Sequence, residues 1–147
     1  MITMRKKYLF GIIIIVLFLV GLGVYKVYKP HQNVSGEDAV ASLSAQNLYH
    51  EFQTDENTAN KKWVGKVIEV SGIISSVNES ASYVSINLKA ADDGGVDCSI
   101  LKKDLSPADH FKNGDSVTVK GKCTGFLMDV NLVDCVIRNR QPVIPEN

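Results

Sequence analysis

Gly114–Ile137, GDSVTVKGKCTGFLMDVNLVDCVI, reads as two strands and a tight connection. Val117, Val119 and Cys123 share one parity, with Thr118, Lys120 and Lys122 opposite, and Gly121 permits a bend. After the connection around Gly125–Asp129, Val130–Ile137 is apolar at almost every second place and mixed in its second half. An earlier partner, Trp63–Ile74 (WVGKVIEVSGII), also sets branched residues beside glycines. Val64, Ile68, Val70 and Ile74 lie on one face, Val67 and Ile73 on the other. Gly65 and Gly72 suit the coiling or bulge that a closing barrel strand needs.

Between these two stretches the pattern stays β. Ser75–Ser80 is read as a turn. Tyr83–Lys89 alternates cleanly, with Val84, Ile86 and Leu88 inward and Tyr83, Ser85 and Asn87 outward. Asp92-Asp93-Gly94-Gly95 supplies hairpin chemistry and lacks the ligand spacing of a calcium loop. Val96–Leu101 follows, with Val96, Cys98 and Ile100 inward. Ser106-Pro107-Ala108-Asp109 has a capping serine, a first-turn proline and an acid, which predicts a short helix ended at Asn113-Gly114. Three meander strands, a helix and two more strands make the order of an OB-fold, a five-stranded Greek-key barrel; an SH3-like barrel also takes five short strands but has less use for the Ser106 helix. The fold class is therefore all-β: a small barrel with an N-terminal amphipathic helix and a preceding transmembrane helix.

Upstream, Tyr8–Tyr25 is eighteen residues without a charge and without a polar face. As a helix it covers roughly 27 Å, close to a bilayer's hydrocarbon thickness. Tyr8, Tyr25 and Tyr28 lie near its ends; Arg5, Lys6 and Lys7 precede it and Lys26 and Lys29 follow, which favours N-in. A signal peptide cut near Gly21-Leu22-Gly23 is the alternative, and either version exports the rest. The expected layout is an anchor over 1–29, a linker over 30–36, an amphipathic helical segment over 37–62, a barrel over 63–138 and a loose tail over 139–147. The helical segment begins at Glu37, carries Val40, Ala41, Leu43, Leu48 and Phe52 as its apolar stripe, and restarts after Thr54 or Asp55 to bring Ala59 toward Trp63.

The whole chain has sixteen basic and sixteen acidic residues. Five of the basic ones fall in the first thirty residues, which hold no acid, so the remainder carries a net −5. That balance disfavours nucleic acid as a partner, because phosphate binding gains from released counterions. The outer face of the second and third strands is where OB-folds bind. Here it offers Tyr83, Ser85, Asn87, Lys89, Asp97 and Ser99, with one aromatic ring and one lysine where single-strand binders want several rings along a basic groove. A small polar ligand, a glycan or a peptide suits it better; an ordinary solvated sheet face is the plain alternative.

No catalytic set, cofactor or metal is expected. His31, His50 and His110 lie in the linker, the covering helix and the inter-strand helix, none beside a cysteine. Cys98, Cys123 and Cys135 have no Cys-x-x-Cys spacing. Export favours one structural disulfide plus a buried thiol. Three small buried hydrophobes, or a redox or metal site, are the other readings.

Asp55-Glu56-Asn57 and Ala59, Lys62-Trp63-Val64-Gly65-Lys66 and Val70-Ser71-Gly72 carry a family likeness. So do Val96-Asp97-Cys98, Gly114-Asp115, Val117–Cys123, Gly125, Asp129-Val130, Leu132, Asp134-Cys135 and Ile137. Across about residues 38–138 the chain resembles the tRNA_anti-like family, its three cysteines being the most specific part. The resemblance implies a bacterial OB-fold protein, exported or membrane-anchored. The family's name reflects likeness to anticodon-binding barrels and does not imply RNA binding. Two function classes follow: an envelope binding module, or an assembly component docking in a membrane complex. Oligonucleotide binding is a weaker third.

Overall fold

The computed structural model describes residues 11–21 and 34–142, in two units, Met1–Gln32 and Asn33–Asn147. In the first unit, α1 (residues 11–21) is helical, and Ile12–Val20 are each more than half exposed. Eleven helical residues rise only about 16 Å. Among the described residues, no helix is long and apolar enough to cross a membrane. The expected transmembrane helix Tyr8–Tyr25 is thus seen only in its middle. Its ends, the basic flanks and linker residues 30–33 lie outside the described residues.

The second unit begins with a 3-10 turn, Val34–Gly36, and the short strand β1 (Ser42–Ser44). Two helices follow, α2 (Ala45–Thr54) and α3 (Glu56–Trp63). The predicted helix start at Glu37 is therefore corrected. Residues 37–41 form no helix; they are irregular, with bends at Glu37 and Val40, and the edge of β2 (Val67–Glu79) takes up their backbone groups: Val40 N donates to Val67 O and Glu69 N to Ala41 O, both at 2.9 Å. The helix waits for a true cap, Ser44, whose Oγ accepts from Asn47 N at 3.1 Å. Asp55 ends α2 and caps α3, its carboxylate accepting from Thr58 N at 3.1 Å.

The apolar stripe is shifted accordingly. Ala45, Leu48, Tyr49 and Phe52 are buried, whereas Val40 is exposed. Phe52 stacks on Phe126 at 5.7 Å and Tyr49 meets the same ring edge-on. Burying Leu48 or Phe52 stabilises by about 1.5–3 kcal/mol each. The same core cluster takes Ala59 and Trp63 from α3 together with the inward residues of every barrel strand.

The barrel strands are β2, β3 (Tyr83–Lys89), β4 (Gly95–Leu101), β5 (Ser116–Phe126) and β6 (Val130–Gln141). Their order is β1-β2-β3-β4-β6-β5, and a further β2–β5 pairing closes the ring. β4 and β6 are parallel over Val96–Cys98 and Val130–Leu132, while the other barrel pairs are antiparallel. This is the five-stranded closed barrel the spacing implies.

Four local expectations are overturned. Ser75–Ser80 is not a turn: β2 continues to Glu79 through a bulge beside Ser75, and the turn is displaced to Ser80–Ser82. The bulge absorbs the break in alternation that makes SSVNES look irregular. Ser106 starts no α-helix. A 3-10 turn, Lys102–Asp104, is followed by a single loop turn in which Ser106 N donates to Asp109 Oδ2 at 2.7 Å. The Asp109 carboxylate takes the Ser106 N–H and Ser106 Oγ takes the Ala108 N–H, local side-chain bonds that hold a turn in place of a helix. The linker's last residues belong to the barrel unit, Val34 being buried. Asn139–Gln141 are strand, paired with Thr118–Ser116, rather than tail.

Candidate functional site

β3 and β4 lie side by side in the register Tyr83↔Leu101, Ser85↔Ser99, Asn87↔Asp97 and Lys89↔Gly95. Residues opposite one another in a ladder point to the same side of the sheet. Val84, Ile86, Leu88, Val96, Cys98 and Ile100 face the core, so Tyr83, Ser85, Asn87, Lys89, Asp97 and Ser99 share the outer face, as their alternation predicts. The structure brings all six together.

They are not independent side chains. Ser85 Oγ donates to Asp97 Oδ1. Asn87 is gripped from β2, where Ser75 Oγ donates to Asn87 Oδ1 at 2.9 Å or to Asn87 O at 3.1 Å. Across β6, Asn131 lies opposite Asp97 in the parallel ladder, and its Nδ2 donates to Asp129 O at 3.0 Å. The result is a band of hydroxyl, amide and carboxylate groups across four strands. Tyr83, 45% exposed, stands at one end and Lys89 at the other. Lys89 Nζ lies 3.9 Å from Asp92 Oδ1, a solvent-screened pair.

Beside the Lys89 end is a cleft of about 400 Å³, with Ser75, Asn87, Lys89, Asp92, Asp93 and Asp129 among its lining. Asp129 Oδ1 accepts from Gly95 N at 2.6 Å and ties the β5–β6 connection to the start of β4. Burial pushes the Tyr49 hydroxyl up from its ordinary value, and the charges of Asp93 and Asp129 push it further. The cleft therefore has an acidic wall. Sequence reading missed Ser75, Asp129 and Asn131 as members of this face. Ser75 sits in a stretch whose pattern reads as a turn, and the other two join only through the parallel β4–β6 pairing.

The remaining chemistry is dispersed. His50 Nε2 lies 3.5 Å from Thr54 Oγ1 on the exposed side of α2. His110 is in the β4–β5 loop and His31 is outside the described residues. Among the described residues, no cluster of three or more His, Cys, Asp or Glu side chains could hold a metal ion. Cys98, Cys123 and Cys135 are all buried free thiols, so the expected disulfide is not formed in this structure. The Cys98 thiol titrates well above its ordinary range, through its hydrogen bond with Cys135 and through burial. Burial raises Cys123 as well.

The closed strand order and the parallel β4–β6 closure together define an OB-fold protein. The chain belongs to the tRNA_anti-like family, whose model matches residues 1–137. No match is found among curated proteins. Among solved structures, the chain is similar to a Klebsiella pneumoniae lipoprotein to which nucleic acid binding is ascribed. The two share 15% identity with a TM-score of 0.56, over 76% of this chain and 100% of that one. It is also similar to Entamoeba histolytica asparaginyl-tRNA synthetase, at 12% identity and TM-score 0.42, over 54% of this chain and 22% of that one. The first likeness bears on the fold alone and the second carries no argument.

Proposed function

We propose that this protein is a membrane-anchored, non-cytoplasmic OB-fold binding module whose β3–β4 face takes a small polar ligand, a glycan or a peptide. The observation that carries the reading is a partly exposed band of two hydrogen-bonded pairs, Ser75–Asn87 and Ser85–Asp97, set side by side by the Asn87↔Asp97 register next to a cleft. Such a band can satisfy a ligand's hydroxyls and amides in register. Tyr83 supplies the single apolar plate at its edge.

The outer position rests on the uncharged Tyr8–Tyr25 stretch and its basic flank, and an envelope location fits the lipoprotein nature of the Klebsiella relative. The ascription made for that relative keeps oligonucleotide binding as the second reading. Asp97, Asp92, Asp93 and Asp129 around the face oppose a phosphate backbone, and Tyr83 alone offers little stacking. A role as an assembly component of a membrane complex is the third.

The test is titration of the detergent-solubilised full chain with a panel of envelope oligosaccharides, short peptides and single-stranded oligonucleotides. Saturable binding of a glycan or peptide that Tyr83→Ala/Asn87→Ala weakens at least tenfold supports the module. Tight single-strand binding that falls steeply with salt would replace it with the nucleic-acid reading.

A further inference from the structure

We infer that Cys98 and Cys135 are a built pair whose thiols close to a disulfide as the chain folds in the presence of a disulfide oxidant, leaving Cys123 as the odd thiol. Three features of the backbone converge on the pair. First, β6 does not present Cys135 inward by simple alternation. Leu132 is buried, so Asp134 and Val136 would share its face in a regular strand. Instead Asp134 adopts φ 52° and a bulge opens there. Lys120 pairs with Val136 and Lys122 with Val133, so Asp134 and Cys135 together face the single residue Gly121. The bulge reverses parity and turns Cys135 into the core.

Second, the space it enters is kept free from the neighbouring strand. A Cβ on Gly121 would stand 2.5 Å from Cys135 Sγ, closer than any side chain tolerates. Third, Cys98 lies at the last rung of the β4–β6 ladder, opposite Leu132, three residues before Cys135. Cys98 Sγ donates to Val96 O at 3.9 Å, and the neighbouring Cys135 thiol is the largest cause of its raised titration. Cys123 is elsewhere: it pairs with Leu132 across the other ladder, and its thiol takes a hydrogen bond from Gly125 N.

The chemistry is thiol–disulfide exchange. One cysteine thiolate attacks a sulfur of the oxidant, for example glutathione disulfide, and expels one glutathione thiolate. The second cysteine thiolate attacks the resulting mixed disulfide, forms the Cys98–Cys135 bond and expels the second. Two electrons pass to the oxidant, which leaves as two thiols, and the cysteines' two protons go with them. Both sulfurs are fully buried, and the raised Cys98 titration suppresses its thiolate, so the exchange belongs to the folding chain rather than the folded barrel. The bond would staple β4 to β6 where their hydrogen-bonded ladder stops.

Refolding of the denatured full chain in detergent with glutathione disulfide, followed by intact mass, thiol labelling in denaturant and peptide mapping, tests this. The expected product is lighter by two hydrogens, labels at one thiol, and yields a Cys98–Cys135 cross-linked peptide. Cys123→Ser is expected to form the same bond, and Cys135→Ser none. Three free thiols after refolding, a persistent glutathione adduct, or a bridge that includes Cys123 would overturn the pair. The wild-type measurement decides by itself if a variant fails to fold.

Discussion

Trp63 Nε1 donates to Glu51 Oε2 at 2.7 Å, joining the end of α3 to the side of α2. Lys62 Nζ binds the same carboxylate at 2.9 Å and stands 4.6 Å from the Trp63 ring centre. Desolvation raises the Glu51 titration, but the Lys62 and Trp63 hydrogen bonds outweigh it, and the net shift is below the ordinary 4.5. A carboxyl lowered by folding contributes stability that is present above its unfolded value and lost as pH falls through the folded one. Thermal melts should therefore show the wild type losing stability as pH falls below about 4.5, with a shallower acid limb in Glu51→Gln.

Gly121→Ala should destabilise the barrel by about 1–3 kcal/mol, because the added methyl overlaps Cys135 Sγ. Cys135→Ala removes that sulfur, so the double variant should recover part of the loss. Chemical denaturation of the four proteins, with the chain kept reduced, measures the coupling. Strict additivity would mean that the two positions do not compete for space.

Lys120 is buried on β5, yet its Nζ reaches Glu37 O at 2.8 Å and Ser35 O at 3.1 Å. It clamps the segment that enters the barrel unit, beside buried Val34. Lys120→Met leaves two carbonyls without this donor, an expected cost of about 1–3 kcal/mol. Limited proteolysis should then cut within residues 34–41 faster than in wild type.

Asp115 is 2% exposed, accepting from Arg140 Nε at 3.2 Å and from Lys112 N at 3.1 Å. It joins the end of the β4–β5 loop to the far end of β6. Asp115→Ala should cost about 3 kcal/mol, the lower part of the range for breaking a buried pair, since Arg140 keeps some solvent. Urea unfolding gives the value, and Arg140→Ala should cost less.

Tyr83→Ala, by contrast, should change stability by no more than about 0.5 kcal/mol, since the ring is partly in water and sits opposite Leu101 at the end of the β3–β4 ladder. Paired melting and binding curves separate the two roles: ligand affinity should fall while the melting temperature holds.

The candidate face was legible because its strands are short and regular. Period-two alternation in YVSINLK and VDCSIL assigns each side chain to a face without knowledge of the partner strand. The Ser106 loop was not legible. Its cap residues bond locally instead, Asp109 to Ser106 N and Ser106 Oγ to Ala108 N, which closes a turn where a helix is expected. The start of the covering helix is hidden for a related reason: Glu37 and Asp38 look like the acids of a first helical turn, but the edge of β2 takes the backbone groups of Val40 and Ala41.

By itself the sequence determined the five barrel strands and the outward set Tyr83, Ser85, Asn87, Lys89, Asp97 and Ser99, because burial of one face in two is a local property of alternating chains. Only the tertiary structure decided which elements from distant stretches join that set. It also decided that Gly114–Ile137 bends at a bulge to send Cys135 toward Cys98. Register between strands is a property of the closed ring: two residues at Asp134–Cys135 face one at Gly121 only when β5 and β6 pair.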